Sequence, residues 1–251
     1  MRNVRLVLEY DGTGFYGWCV QPGKRTIEKE LKTAINAVTG EEAGLTVAGR
    51  TDTGVHAAEQ VVNFYTGSEI PAGKLSSALR KYLPEDITIK EAMDVGLDFD
   101  SRRSAKARTY NYLIVNGDFV PVRLKKYAWH FKGNLDTKKM KRAAGMLVGT
   151  HNFKSFCKKE SYNKTFLRKV NFIKFALSGR EFAGGLKYIE IKICANSFLH
   201  KMVRVIVGTL VDAGRGKIDP GAIKNILRRE DRRFAGRTAP AKGLTLKKVK
   251  Y

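Results

Sequence analysis

Hydrophobic and polar positions alternate from the first residues. Val4, Leu6, Leu8 and Tyr10 fall on one face at period two, which predicts a strand that the glycines of "DGTGFYGW" interrupt with a tight turn. The spacing then lengthens. In "TIEKELKTAINAVTG" the residues Ile27, Leu31, Ala34, Ile35 and Val38 form one helical stripe, with Thr26 placed to cap the start, Glu28 near the positive end of the dipole and Gly40 as the stop. Strands at 45 to 48 and 59 to 65, a helix at about 73 to 83 ended by Pro84, and a strand in "ITIKEAMDV" complete the set. The order strand, helix, strand, strand, helix, strand is that of a split βαβ, ferredoxin-like unit.

The second half repeats the order: a strand at 106 to 115, a helix at 137 to 148, strands at 167 to 177 and 186 to 194, a long helix at 197 to 213, and a strand at 244 to 250. A further helix is predicted at 219 to 229, where Asp219 and Pro220 make a cap and first-turn pair. Ile189, Ile191 and Ile193 alternate with Tyr188, Glu190 and Lys192, so this strand has one buried face. Phe198, Leu199, Met202, Val203, Ile206, Val207 and Leu210 cover most of the long helix, which predicts burial between layers. The fold expected is α+β: two ferredoxin-like halves, 1 to 103 and 104 to 251, with antiparallel sheets side by side, helices behind and a cleft between. Only the element order repeats, not the sequence.

Charge sharpens this division. The chain carries 47 Lys and Arg against 24 Asp and Glu, for a net charge of +23, which points to polyanions as partners. Residues 1 to 103 hold 13 basic and 15 acidic groups, whereas residues 104 to 251 hold 34 and 9. The excess therefore belongs to the second half. No apolar run approaches the roughly 20 residues that span a bilayer, and the opening residues alternate instead of forming a signal peptide. No basic amphipathic helix stands apart from the core segments, which disfavours lipid. Cys19, Cys157 and Cys194 are odd in number and far apart, so neither a disulfide framework nor a CxxC pair is indicated. The chain reads as soluble and cytoplasmic, with reduced thiols.

Most catalytic motifs are missing. His56, His130, His151 and His200 have no HxxxH or CxxC neighbours to make a metal site. There is no GxSxG elbow, and "DGTGFYG" lacks the GxxxxGK[ST] of a phosphate loop. "AGRTDTGVHA" remains, with Arg50 and Asp52 two positions apart between Gly49 and Gly54, just after the apolar residues Leu45 to Val47. From spacing alone, an Asp in "RTDTG" that caps its own turn is the simpler reading. Three features favour a functional role: glycines on both sides after a strand, Arg50 near enough to orient the carboxylate, and a cationic field supplied by the other half. A catalytic acid at the mouth of an RNA-binding cleft fits them.

"GRTDTGVHAAEQ" also resembles the signature of the tRNA pseudouridine synthase A family. "LEYDGTGFYGW", "KARTYNY", "GTHNFKSF", "SFLHKMVRVIVGTL" and "RTAPAKGLTLKKVKY" resemble further motifs of that family, in its order and over essentially the whole chain. The resemblance implies a homodimer that converts uridine to pseudouridine in the anticodon stem-loop of tRNA, at tRNA positions 38 to 40, without metal or cofactor. It also implies roles: Asp52 as nucleophile, Arg204 of "HKMVR" paired with its carboxylate, Tyr110 of "RTY" stacked on the uracil, and Arg50 holding the RNA and displacing the base. Cys19 departs from the family, which usually has Gln after the Gly-Trp pair. A non-catalytic RNA-binding or assembly protein using the same basic cleft is the alternative.

Overall fold

The computed structural model describes residues 1–158, 165–178 and 186–251. The chain divides into two compact units, residues 1–106 with 245–251, and residues 107–244. Ten strands and five α-helices lie among the described residues, an α+β architecture. No helix among them is long and apolar enough to cross a membrane.

The first unit runs β1 (Arg2–Tyr10), α1 (Ile27–Thr39), β2 (Thr46–Val47), β3 (His56–Thr66), α2 (Ala72–Tyr82) and β4 (Ile87–Val95). This is the element order expected from the periodicity. β1 is central, antiparallel to β4 on one side and β3 on the other, and β2 pairs antiparallel with β3. The inward side chains Val4, Leu6 and Leu8 are fully buried, as are Leu31, Ala34 and Ile35 of α1. Asn3 is buried too, but its amide donates to the carbonyls of Gly96 and Phe99 and its Oδ1 accepts from Asn63. A buried polar pair whose bonds are satisfied costs little.

The start of α1 corrects one expectation. Thr26 makes no side-chain cap; its Oγ1 is buried without a hydrogen-bond partner. The first helical N–H groups instead reach backbone carbonyls of the preceding loop, Ile27 to Gly17 at 3.2 Å and Glu28 to Trp18 at 3.0 Å. The loop itself thus caps the helix, satisfying donors that would otherwise be orphaned. Gly40 closes the other end in the left-handed conformation.

The second unit contains β5 (Ala107–Asn116), β6 (Trp129–Phe131), α3 (Thr137–Gly145), β7 (Gly149–Asn152), β8 (Leu167–Ser178), β9 (Lys187–Ala195), α4 (Met202–Gly214) and α5 (Ile223–Arg229). β5, β9, β8 and β7 form an antiparallel series, with β6 parallel to β5. β6 and β7 were not expected, because three or four residues show no readable alternation. The long helix begins at Met202 rather than 197. Residues ahead of it are held out of the helix by Asn196, whose Oδ1 accepts from the N–H of Lys169 and of Ser197, and Lys201 is left-handed at φ 63°. Every residue of α4 except Arg204 is buried. Asp219 caps through the N–H of Gly221, yet the turn it opens is a 3-10 turn, Pro220–Ala222, and α5 starts only at Ile223.

The last strand, β10 (Leu244–Lys250), pairs parallel with β3, Thr245 opposite His56 and Leu246 opposite Ala57. The Tyr251 hydroxyl donates to the Ser101 carbonyl, and its ring lies 5.0 Å from that of Phe99.

Candidate functional site

Residues 48 to 55 connect β2 to β3 and carry Asp52. The side chain is partly exposed, between buried Thr51 and exposed Thr53. A turn begins at Asp52, whose carbonyl accepts from the N–H of Val55 at 3.1 Å, with Gly54 left-handed at φ 75°. Glycine at this point lets the turn close without steric cost. Arg50 is exposed.

Two layers of hydrogen bonds hold this loop. One comes from the glycine-rich segment after β1: Trp18 N–H donates to the Thr51 carbonyl at 3.0 Å, Gly54 N–H to the Phe15 carbonyl at 3.3 Å, and Gly12 N–H to His56 Nδ1 at 3.1 Å. That Nδ1 also lies 3.1 Å from Asp11 Oδ1, which itself accepts from the N–H and hydroxyl of Thr13. The segment is anchored in turn by Arg25, which binds both oxygens of Asp86 at 2.7 and 2.8 Å and stacks on Phe15 at 4.1 Å. Bidentate geometry fixes orientation as well as distance.

The other layer is side-chain chemistry beneath the loop. Gln60 Nε2 donates to the Gly49 carbonyl at 2.7 Å and to the Tyr10 hydroxyl oxygen at 3.2 Å, and the Tyr10 hydroxyl lies 2.8 Å from Thr51 Oγ1. Burial pushes the Tyr10 phenol up to about 12, against the lowering effect of Thr51 and Gln60. At Cys19, burial pushes the thiol up; the charge of Arg50 opposes this and Glu28 reinforces it. A thiol shifted in this direction is a poor nucleophile at neutral pH.

Tyr110 and Arg204 belong to the second unit. Tyr110 sits on β5 opposite Ile193, 8% exposed, its ring edge-on to Phe198 at 5.1 Å and 89°. Arg204 is in the first turn of α4, where its Nε donates to the Ala239 carbonyl at 2.8 Å and its own carbonyl accepts from the Ala239 N–H at 3.0 Å. The segment 236 to 239 lies so near α4 that a Cβ on Gly208 would fall 1.7 Å from the Arg237 carbonyl oxygen. Gly236 N–H donates to Thr209 Oγ1, and the Arg237 guanidinium lies over Trp129 at 4.7 Å. The Tyr112 hydroxyl donates to the Pro240 carbonyl at 2.8 Å, and burial pushes that phenol far up. Arg204 is therefore a fixed side chain with its Nε engaged.

Of the residues singled out in the sequence, Asp52 and Arg50 share one loop of the first unit, while Tyr110 and Arg204 share the second unit on β5 and α4. Tyr10, Gln60 and His56 were missed as site residues. Tyr10 read as one more inward strand position and His56 only as a metal candidate. Gln60 carried a usable signal: an uncharged polar side chain within a strand whose neighbours Val61, Val62 and Phe64 are apolar, all of them buried.

A family described as tRNA pseudouridine synthase matches residues 6–102 and 143–251. Curated relatives align over their whole lengths and the whole of this chain. The tRNA pseudouridine synthase A of Caldicellulosiruptor bescii is 44% identical over 251 residues. Those of Thermoanaerobacter sp. strain X514 and Acetivibrio thermocellus are 45% and 42% identical.

Proposed function

The chain belongs to the tRNA pseudouridine synthase family, and from that premise we propose that it isomerises uridine to pseudouridine in the anticodon stem-loop of tRNA, with Asp52 as the nucleophile. The bond between uracil N1 and ribose C1′ breaks, the base turns, and C5 joins C1′; the proton lost from C5 is matched by one gained at N1. A carboxylate is sufficient for this, acting by addition to the ring or at the ribose, and in either case it must be ionised.

Arg204 pairs with Asp52 in this reading and favours the anion. Tyr110 stacks on the uracil and excludes water, which matters because water reaching the detached sugar would leave an abasic site. Arg50 holds the RNA and helps displace the base. Extruding a stacked nucleotide costs a few kcal/mol, which phosphate contacts offset. Residues 1 to 103 act as the half that presents Asp52 and the strongly basic residues 104 to 251 as the half that attracts the backbone. The enzyme works as a cytoplasmic homodimer.

One observation carries the assignment of Asp52: a partly exposed carboxylate on a turn whose backbone is bonded on both flanks. Preorganisation of this kind is what a nucleophile requires and a solvated turn does not. Asp52→Asn tests it. The enzyme reading expects no pseudouridine by sequencing of modified tRNA, with tRNA affinity retained; modification at the wild-type rate overturns the assignment.

A further inference from the structure

We infer that Tyr10, Gln60 and Thr51 form a hydrogen-bonded strut that sets the position of the Asp52 carboxylate, and that Tyr10 and Gln60 are positioning residues for the reaction. The inference rests on Asp52 being the nucleophile. It starts from three side chains that are buried in the first unit: Gln60 at 0%, Tyr10 at 3% and Thr51 at 7% exposure.

The direction of the two Gln60 bonds follows from donor chemistry. The Gly49 carbonyl can only accept, so the atom of Gln60 at 2.7 Å from it is the amide nitrogen. The second hydrogen of that nitrogen goes to the Tyr10 oxygen at 3.2 Å. The Tyr10 hydroxyl and Thr51 Oγ1 share a further hydrogen bond at 2.8 Å, in which either oxygen can donate. Burial keeps the Tyr10 phenol protonated at neutral pH. The strut therefore ties the loop at Gly49 and again at Thr51, the residue before Asp52.

Its elements are rigid. Tyr10 is the last residue of β1 and Gln60 lies within β3, and the two strands are paired antiparallel in the middle of the sheet. The Tyr10 ring also lies 6.4 Å from Trp18, whose N–H donates to the Thr51 carbonyl. Thr51 is thus fixed through both its side chain and its carbonyl. A polar network of this size in a core is costly when incomplete and rigid when complete. No feature of the fold alone demands it, since apolar side chains could fill the same space below a loop. Misplacement of a reacting group by about 1 Å costs on the order of 100-fold in rate, so the network has a catalytic return.

Steady-state kinetics on transcribed tRNA, with thermal melting of each variant, tests the strut. Tyr10→Phe keeps the ring and removes only the hydroxyl; Thr51→Val removes the partner oxygen at nearly constant shape; Thr51→Ser restores it. The expected result is a fall in kcat of about 10- to 100-fold for Tyr10→Phe and Thr51→Val, with KM for tRNA changed by less than about threefold. Thr51→Ser retains most of kcat, and the double variant Tyr10→Phe with Thr51→Val loses no more than Tyr10→Phe alone, because Tyr10→Phe has already removed the bond to Thr51. A purely structural role lowers the melting temperature and leaves kcat near wild type in the folded protein; that outcome in Tyr10→Phe and Thr51→Val overturns the inference. Asp52→Asn run in parallel separates the two readings. If it is inactive while Tyr10→Phe is fully active, only the strut falls; if it is active, the nucleophile assignment falls and the strut with it.

Discussion

Gly12 meets Val55 so closely that a Cβ on Gly12 would lie 2.0 Å from the Val55 carbonyl oxygen. The glycine belongs to the segment after β1 and the valine to the Asp52 turn, so this approach is where the two loops of the first unit interlock. Backbone stands on both sides of the contact, and neither can give way by a rotamer change. Gly12→Ala is expected to push the loops apart and to break the Gly12 N–H bond to His56. The cost is about 2 to 4 kcal/mol, from steric strain together with a lost buried hydrogen bond. A guanidinium titration measures it; an unchanged midpoint would show that the loops separate at no cost.

Stability at high pH reports on the burial of Tyr10. The Tyr10 phenol is raised from 10.0 to about 12 in the folded chain by burial. Below pH 10 both the folded and unfolded chains hold this proton and the contribution is complete. As the pH rises from 10 towards 12 the unfolded chain loses the proton first, so stability falls by roughly 2 to 3 kcal/mol across that window. Tyr112, raised by burial as well, acts in the same direction. Denaturation midpoints at about pH 9 and pH 11.5 should therefore differ less in Tyr10→Phe than in the unsubstituted protein. Equal declines in the two proteins would mean that Tyr10 ionises as readily folded as unfolded.

Arg204→Met separates catalysis from binding. The Nε bond to Ala239 is lost, which costs about 1 kcal/mol of stability. If the guanidinium also steadies the ionised Asp52, kcat falls by about tenfold or more while the dissociation constant for tRNA shifts by less than about threefold. Equal losses in rate and affinity would reassign Arg204 to phosphate contact.

Salt should weaken tRNA binding steeply. Several acids of the second unit are already engaged, Asp212 with Arg215, Glu190 with Lys192 and Asp231 with Arg233. With 34 basic against 9 acidic residues between 104 and 251, most cations are left over. Filter binding with Asp52→Asn, the variant expected to stop turnover, is expected to show at least a tenfold loss of affinity between about 50 and 200 mM salt. A change below twofold would place the basic residues away from the RNA backbone.

How far the sequence could be read depended on element length and on whether a contact was local. β1 and α1 were legible because each offers four or more periodic apolar positions, and Gly40 marked its stop correctly. The start of α4 was misplaced by five residues because Phe198 and Leu199 keep helical spacing while Asn196 and left-handed Lys201 hold the backbone elsewhere. At α1 the spacing suggested a Thr26 cap, and the cap turned out to be two carbonyls of the adjoining loop. Asp52 was identified as a candidate from its flanking glycines, Arg50 and the cationic excess of the other half, since spacing alone favoured a turn cap. The strut beneath it was not, since Tyr10, Thr51 and Gln60 are joined only by the pairing of β1 with β3.

The pairing of β10 with β3 bears on when the protein becomes competent during synthesis. Residues 245–251 complete the unit that begins at Met1, and Thr245 pairs with His56 only four residues after Asp52. Local folding can build β1, α1, β3 and their neighbours early, but this closing strand waits until the intervening unit has been translated, and such distant pairings form late. The strand that follows the Asp52 loop therefore gains this pairing only after residues 107–244 have been made, so a chain cut before residue 245 lacks the strand that lies beside His56 and Ala57.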